Sequence, residues 1–222
     1  MENNHISVWG RTLEEYRKIF SLYKLTPQTK IISIADGPST FNLQLREIGL
    51  QAISVDPIYN LSVDNLKACF EESYLFNKNF FYQYPDKFNL TSSEEVETLL
   101  SKRRKTFENF INDYIQNRNN YQFGKLPALN FNSKSFDLCL CSNFLFLFEH
   151  LFDFDFHLNS IKELLRIGSE VRIFPLYNNN GQLSNYVSEI TEYLSENNFK
   201  WTIESNDYHI YKYGNRFLKI SS

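Results

Sequence analysis

The chain has 222 residues, of which 42% are hydrophobic and 17% aromatic, enough to bury a continuous core in a domain of α/β size. Only 7 residues are glycine, which excludes fibrous and linker-like chains. The formal net charge of −3 argues against a surface that mainly binds nucleic acid. We therefore expect one domain over residues 1–222.

Targeting, membrane and metal signals are absent from the sequence. No apolar stretch approaches the roughly 20 uncharged residues of a membrane helix, and the N-terminus lacks a signal-peptide pattern. We expect a cytoplasmic protein. Cys139 and Cys141 lie two apart in a strand-like run and predict buried packing rather than a metal site. The one dense basic run, Lys102–Lys105, is expected to be a solvated helix face.

The N-terminal part of the chain predicts a helix followed by a βαβ unit. Thr12 and Glu15 form a capping box, and apolar residues at helical spacing continue it. The next 30 residues contain a strand, a short turn, a helix closed by Gly49 and a second strand. This pattern predicts that the two strands pair in parallel. The predicted elements are a helix at about 12–24, a strand at 30–35, a turn at 36–39, a helix to 48 and a strand at 51–55.

Residues 62–120 interrupt this alternation of strands and helices. They contain many charges, no buried strand and two helical windows, at 64–80 and 93–118. We interpret them as a helical insertion. Together with the N-terminal helix, the insertion is expected to form a lid over the ligand site.

The alternation resumes after the insertion and completes the fold. We predict a doubly wound, mostly parallel seven-stranded α/β sheet that ends in an antiparallel hairpin. The predicted elements are strands at 136–142 and 170–174, helices at 156–167 and 183–196, and hairpin strands at 201–204 and 217–220.

The turn between the first strand and its helix is the prime position for a ligand. In a doubly wound sheet, ligands bind beyond the carboxyl ends of the strands. Asp56 follows about 20 residues after this turn, where a carboxylate can accept hydrogen bonds from both hydroxyls of a ribose. Because Gly37 is the only glycine of the turn and no P-loop lysine follows, a nucleoside ligand without phosphate is favoured over NAD, FAD or ATP.

Several segments resemble the class I S-adenosylmethionine (SAM)-dependent methyltransferases. Others are more similar to an uncharacterised bacterial branch of them, which also resembles azetidine-2-carboxylate synthases. The first set is 31–45, 54–57 and 135–142; the second is 9–11, 15–17, 142–147, 156–158 and 172–176. The sequence departs from the methyltransferase pattern at Ser33, Ala35 and Ser39 in the first motif, and at Lys125, where an acid is common.

The resemblance implies that SAM binds as co-substrate or substrate and assigns residues to it. Asp36 and Gly37 pack against the methionine portion, and Asp56 holds the ribose. Ile58 and Leu126 flank the adenine. Two further residues, Tyr16 and Arg17, are placed to reach the methionine carboxylate from the N-terminal helix.

The reacting centre is expected at the ends of the two following strands. Ser142 borders the cofactor there, and Asn143 positions an acceptor. The rings of Phe144 and Tyr177 stabilise a sulfonium cation without competing as nucleophiles.

Three functions are compatible with these residues. The first is methyl transfer to a small molecule, with nucleic-acid substrates and membrane partners not expected. The second is cyclisation of SAM on its own amine, as in azetidine-2-carboxylate synthases, with release of methylthioadenosine. The third is SAM binding without catalysis. The acceptor, the oligomeric state and the use of a general base are left open.

Overall fold

The computed structural model describes residues 7–221, which form a seven-stranded sheet of order β3-β2-β1-β4-β5-β7-β6. Neighbouring strands from β3 to β5 are parallel, whereas β7 is antiparallel to both β5 and β6. The predicted sheet and its closing hairpin are therefore confirmed. The strands are β1 (Ile31–Ile34), β2 (Ala52–Val55), β3 (Tyr121–Gln122), β4 (Phe136–Ser142), β5 (Gly168–Phe174), β6 (Lys200–Ser205) and β7 (Arg216–Ser221).

Helices cover both faces of the sheet. Buried side chains of α5 and α6 pack on one face, and those of α1 and α2 pack on the other. Cys139 and Cys141 are buried in the first of these cores, as predicted. The helices are α1 (Leu13–Phe20), α2 (Phe41–Glu47), α3 (Val63–Gln83), α4 (Ser93–Gln116), α5 (Phe154–Ile167) and α6 (Tyr186–Glu196).

The first helix differs from its predicted role as a lid. Its capping box is present, but α1 ends at Phe20 rather than near residue 24, because Ser21 adopts a left-handed conformation with φ 53°. The apolar face of α1 packs against α2, β5 and β7, so this helix belongs to the core. The segment before it, which includes Trp9 and Arg11, borders the ligand cavity instead.

The basic run of α4 is not wholly solvated, which corrects the prediction for Lys102–Lys105. Arg103 is only 2% exposed and donates both terminal nitrogens to Glu15, the capping-box residue of α1. Burial by itself raises the pKa of Glu15, but the Arg103 charge and hydrogen bonds outweigh it and lower that pKa to about 2. Arg104, the next residue, forms an ion pair in which both side chains are largely exposed.

The helical insertion is fastened to the far end of the chain. Phe88, between α3 and α4, forms an antiparallel bridge with Tyr211 in the loop between β6 and β7. The amide of Asn89 donates to the carbonyl of Ile210 at 2.9 Å, and its side-chain amide donates to the carbonyl of His209 at 2.8 Å. These bonds join the segment between α3 and α4 to the loop between β6 and β7.

Candidate functional site

One large cavity lies at the carboxyl ends of β1, β2 and β4, where a doubly wound sheet binds its ligand. Its volume is about 660 Å³, within the range of small-molecule sites. Seven of the sequence-predicted site residues line this cavity. They are Gly37, Asp56, Ile58, Leu126, Ser142, Asn143 and Phe144.

The turn after β1 is held from two sides. Gly37 has a φ of +60°, a conformation that glycine adopts without strain. On the other side Gly10 packs directly on the turn, and a Cβ at this position would lie 1.9 Å from the carbonyl oxygen of Pro38. The carbonyl of Arg11 accepts hydrogen bonds from the Ser39 hydroxyl at 2.9 Å and the Thr40 amide at 3.0 Å. The Trp9–Arg11 element therefore positions the turn.

Asp56, at the tip of β2, joins this turn to the following segment. Its Oδ2 accepts from the amide of Gly37 at 2.9 Å, and its Oδ1 accepts from the amide of Ile58, also at 2.9 Å. Burial raises the pKa of the Asp56 carboxyl to about 6, although both amide hydrogen bonds act in the opposite direction. Each oxygen keeps a second lone pair for a donor in the cavity.

Asp36 and Tyr16 lie beneath the cavity rather than in its wall. The Tyr16 hydroxyl donates to Asp36, and the Ser33 hydroxyl donates to the same oxygen at 2.7 Å. Tyr16 is 1% exposed and stacks on Phe41. Burial raises the pKa of both Asp36 and Tyr16. Ser33, a departure from the methyltransferase pattern, thus forms a hydrogen bond with the acid of the turn.

Two arginines of the N-terminal segment have contrasting environments. Arg17 is exposed on α1, so the structure does not bring it to the cavity. Arg11, which the sequence analysis placed only in a family element, is 8% exposed and lines the cavity. Its Nε is buried and makes no hydrogen bond to any described residue. Its Nη1 donates to the carbonyl of Trp9 at 3.4 Å, a long contact.

Tyr177 borders a second, smaller cavity of about 50 Å³. Asn143 lines both cavities, so Tyr177 lies near the predicted reacting centre but outside the main cavity wall. The Asn143 side-chain amide donates to the Ser142 hydroxyl at 2.6 Å, and its backbone has a φ of 56°. The loop that carries Tyr177 also forms an antiparallel bridge with Leu183.

The cavity divides into two parts of different chemistry. We call the first part the strand-end half; it contains Arg11, Gly37, Asp56, Ile58 and Leu126. We call the second part the aromatic half; it is lined by phenylalanines from α3, from the turn after it, and from the stretch between the end of β4 and the first turn of α5. These rings are Phe76, Phe80, Phe81, Phe88, Phe144, Phe148, Phe152 and Phe156.

Lys87 is the charged side chain of the aromatic half. It ends a turn of 3-10 helix at Pro85–Lys87, and its Nζ lies 5.5 Å from the ring centre of Phe80 and 5.3 Å from that of Tyr84. No function was predicted for this lysine, since nothing in its local pattern distinguishes it from a surface residue.

Residues 7–221 contain neither a candidate metal cluster nor a candidate membrane-spanning helix. Within 7–221, no group of three histidine, cysteine or acidic side chains could hold a metal ion. None of the helices in this part of the chain has both the length and the apolar character needed to cross a membrane.

The fold is that of an α/β protein with a large cavity at the ends of its parallel strands. No model of a known protein family matches the chain. The chain belongs to the family of the uncharacterized protein MJ0045 of Methanocaldococcus jannaschii, with which it is 33% identical over 212 residues. The match covers 95% of this chain and 94% of that protein.

Solved structures of low sequence identity are also similar. A SAM-dependent methyltransferase from Aquifex aeolicus is 11% identical, with 92% of this chain and 86% of that chain covered and a TM-score of 0.45. A TehB-like SAM-dependent methyltransferase from Corynebacterium glutamicum is 12% identical, with 99% and 90% covered and a TM-score of 0.47. Likenesses of this degree say nothing about a shared ligand or activity.

Proposed function

We propose that the protein is a SAM-dependent methyltransferase that acts on a small molecule. The observation that carries this proposal is the pairing of Asp56 with the Gly37 turn on the wall of one cavity. A carboxylate at the tip of the second strand suits a ribose diol, which supplies two hydroxyl donors.

The strand-end half suits a nucleoside better than a dinucleotide. Asp56 accepts both ribose hydroxyls with the lone pairs that Gly37 and Ile58 leave open. The half-buried Ile58 and the buried Leu126 line the same cavity and cover the two faces of the adenine. The turn after β1 contains a single glycine, Gly37, whereas a pyrophosphate needs several so that backbone amides can approach it, which disfavours that ligand.

Arg11 is the residue that we assign to the methionine carboxylate. Its guanidinium lies in the cavity wall, and its one side-chain hydrogen bond among residues 7–221 is the long contact from Nη1 to the carbonyl of Trp9, so a ligand that supplies acceptors to the terminal nitrogens would stabilise it. An arginine fork binds a carboxylate through two parallel hydrogen bonds. The Gly10 contact and the Arg11 carbonyl hold this residue against the glycine turn, where the amino-acid end of SAM is expected.

SAM supplies an activated methyl group on a sulfonium, so the protein mainly has to bind and orient the reactants. Phe144 presents a ring next to the strand-end half, and an aromatic face stabilises a nearby cation. Asn143, in a left-handed conformation beside Ser142, directs polar atoms toward an acceptor. The aromatic half leaves space for a second molecule, which favours transfer to an acceptor over cyclisation of SAM.

Calorimetric titration with two ligands tests the proposal. S-adenosylhomocysteine carries the carboxylate that we assign to Arg11, whereas methylthioadenosine lacks it. Arg11→Gln should weaken S-adenosylhomocysteine binding about tenfold or more, the effect of a lost charge-assisted hydrogen bond, and leave methylthioadenosine affinity unchanged. Arg17→Gln, at the exposed rival position, should alter neither affinity.

The outcomes separate the competing functions. Loss of affinity for both ligands in Arg11→Gln would contradict the carboxylate assignment, and failure of the wild type to bind either ligand would overturn the proposal. Mass spectrometry after incubation with SAM then identifies the reaction. S-adenosylhomocysteine formed only with cell extract supports methyl transfer. Methylthioadenosine formed from SAM alone would indicate cyclisation, and binding without either product would indicate a SAM-binding protein.

A further inference from the structure

The aromatic half exposes ring faces to the cavity. Phe80, Phe144, Phe148, Phe152 and Phe156 are only half-buried, although each of them lines the cavity wall. Covering apolar surface is favourable by roughly 25 cal/mol per Å², so an apolar ligand gains from contact with every one of these rings.

The rings are arranged as two contacting sets. The first set runs from the end of β4 into the first turn of α5; there Phe152 stacks on Phe156 with ring centres 4.3 Å apart, and Phe144 meets Phe152 at 5.4 Å. In the set from the insertion, Phe80 meets Phe88 at 5.8 Å, and Phe88 meets Tyr211 at 5.3 Å. Flat rings from two separate parts of the chain therefore border one cavity, a surface that suits a planar apolar body.

Lys87 gives this apolar surface one positive charge. No carboxylate of residues 7–221 forms an ion pair with it, and its Nζ makes a long contact of 3.5 Å to the carbonyl of Asn179. The Phe80 and Tyr84 rings hold the ammonium beside the cavity. A half-buried cation without a counter-ion favours an anionic partner on the ligand.

We infer that the aromatic half binds an apolar carboxylic acid whose carboxylate pairs with Lys87. The inference rests on the proposed function, because it names the class of acceptor that occupies the cavity beside SAM. A single lysine matches the single charge of a carboxylate. A phosphate monoester carries between about 1.5 and 2 negative charges at pH 7 and is the poorer match.

Binding of naphthoate tests the inference. Naphthamide has the same ring system without the charge, and acetate has the carboxylate without the ring system. Calorimetry with wild-type protein should detect naphthoate but not acetate at equal concentrations. Lys87→Gln should weaken naphthoate binding about tenfold and leave naphthamide binding unchanged, because only the carboxylate uses the lysine charge. Lys105→Gln, which changes an exposed lysine of α4, serves as the matched control.

The titrations are made with and without S-adenosylhomocysteine, so the acid site and the nucleoside site are measured separately. Equal affinity for naphthoate and naphthamide, or equal loss of both in Lys87→Gln, would overturn the inference. Failure of the wild type to bind naphthoate while S-adenosylhomocysteine binds would also overturn it and would leave the proposed function intact. Binding of naphthoate alone would support the acid site and count against the proposed function.

Discussion

The two halves of the cavity are stabilised by different interactions. In the strand-end half, backbone amides of Gly37 and Ile58 fix both oxygens of Asp56 at hydrogen-bond distance. In the aromatic half, contacts are between rings such as Phe152 and Phe156, which have no directional bond to each other. Hydrogen bonds at fixed positions recognise one ligand geometry, whereas ring surfaces accept different apolar shapes. This difference supports our proposal of one constant ligand in the strand-end half and a variable ligand in the aromatic half.

The Arg103–Glu15 ion pair joins the helical insertion, which supplies part of the aromatic half, to helix α1. Breaking this pair should have the largest effect on stability. Arg103→Met removes the buried, bidentate partner of the Glu15 carboxylate and leaves, within residues 7–221, only the longer 3.9 Å ion pair with Lys102, which should lower the free energy of unfolding by about 3–5 kcal/mol. Urea denaturation measures this loss. The matched change Arg104→Met removes an exposed ion pair and should cost about 1 kcal/mol or less. Equal effects of the two variants would contradict the joining role of Arg103.

The strand-end half can be tested at Asp56. Asp56→Asn removes the charge from the hydrogen bonds to the ribose and should weaken S-adenosylhomocysteine binding by about 1.5–3 kcal/mol. Because methylthioadenosine has the same ribose, its affinity should fall equally. Glu108→Gln, an exposed acid-to-amide change on α4, is the control and should leave both affinities unchanged. A folded Asp56→Asn variant with full affinity would exclude the ribose assignment.

The pH dependence of the same residue should give a smaller, graded effect. The pKa of Asp56 is raised from 3.8 to about 6, so its proton is held more tightly in the folded protein. Ribose donors prefer the carboxylate, and S-adenosylhomocysteine affinity should therefore fall below pH 6, approaching about tenfold per pH unit. Calorimetry across this range should show a much flatter profile for Asp56→Asn.

Stability should change with pH in the opposite direction. An acid with a raised folded pKa contributes stability below its unfolded pKa, and this contribution is lost as the pH rises through the folded value. As the pH rises from 3.8 to about 6, the wild type loses this stability and Asp56→Asn does not. The free energy of unfolding of Asp56→Asn should therefore increase relative to that of the wild type over this range. Urea denaturation at several pH values measures the difference between the two proteins. A difference that is independent of pH would mean that Asp56 is not titrating in this window.

The sheet was predictable from the sequence because its signals are local. Buried apolar runs such as 31–34 and 136–142, and the capping box at Thr12, depend on residues close together in the chain. The exact end of α1 was not predictable, since it depends on the left-handed conformation of Ser21. No residue range was predicted for the short strand β3, because two residues carry too little pattern.

The site was predictable only where the βαβ spacing defines it. Asp56 and Gly37 follow from the ends of two strands, and the structure brings them into contact. Arg11, Lys87 and Arg103 acquire their environments from residues far away in the chain, so no local pattern distinguishes them. For Arg11, the neighbouring Gly10 was a usable signal in the sequence. Its close contact with Pro38 requires a residue without a side chain and places Arg11 beside the turn after β1.

The burial of two of the three cysteines makes the third a natural attachment point for a probe. Burial raises the pKa of both Cys139 and Cys141 to about 12, which keeps these thiols unreactive toward maleimides at neutral pH. Cys69 is half-buried on α3. A fluorophore on Cys69 of the unmutated protein would report on the surroundings of the insertion, and movement of α3 as the cavity fills could be followed in real time.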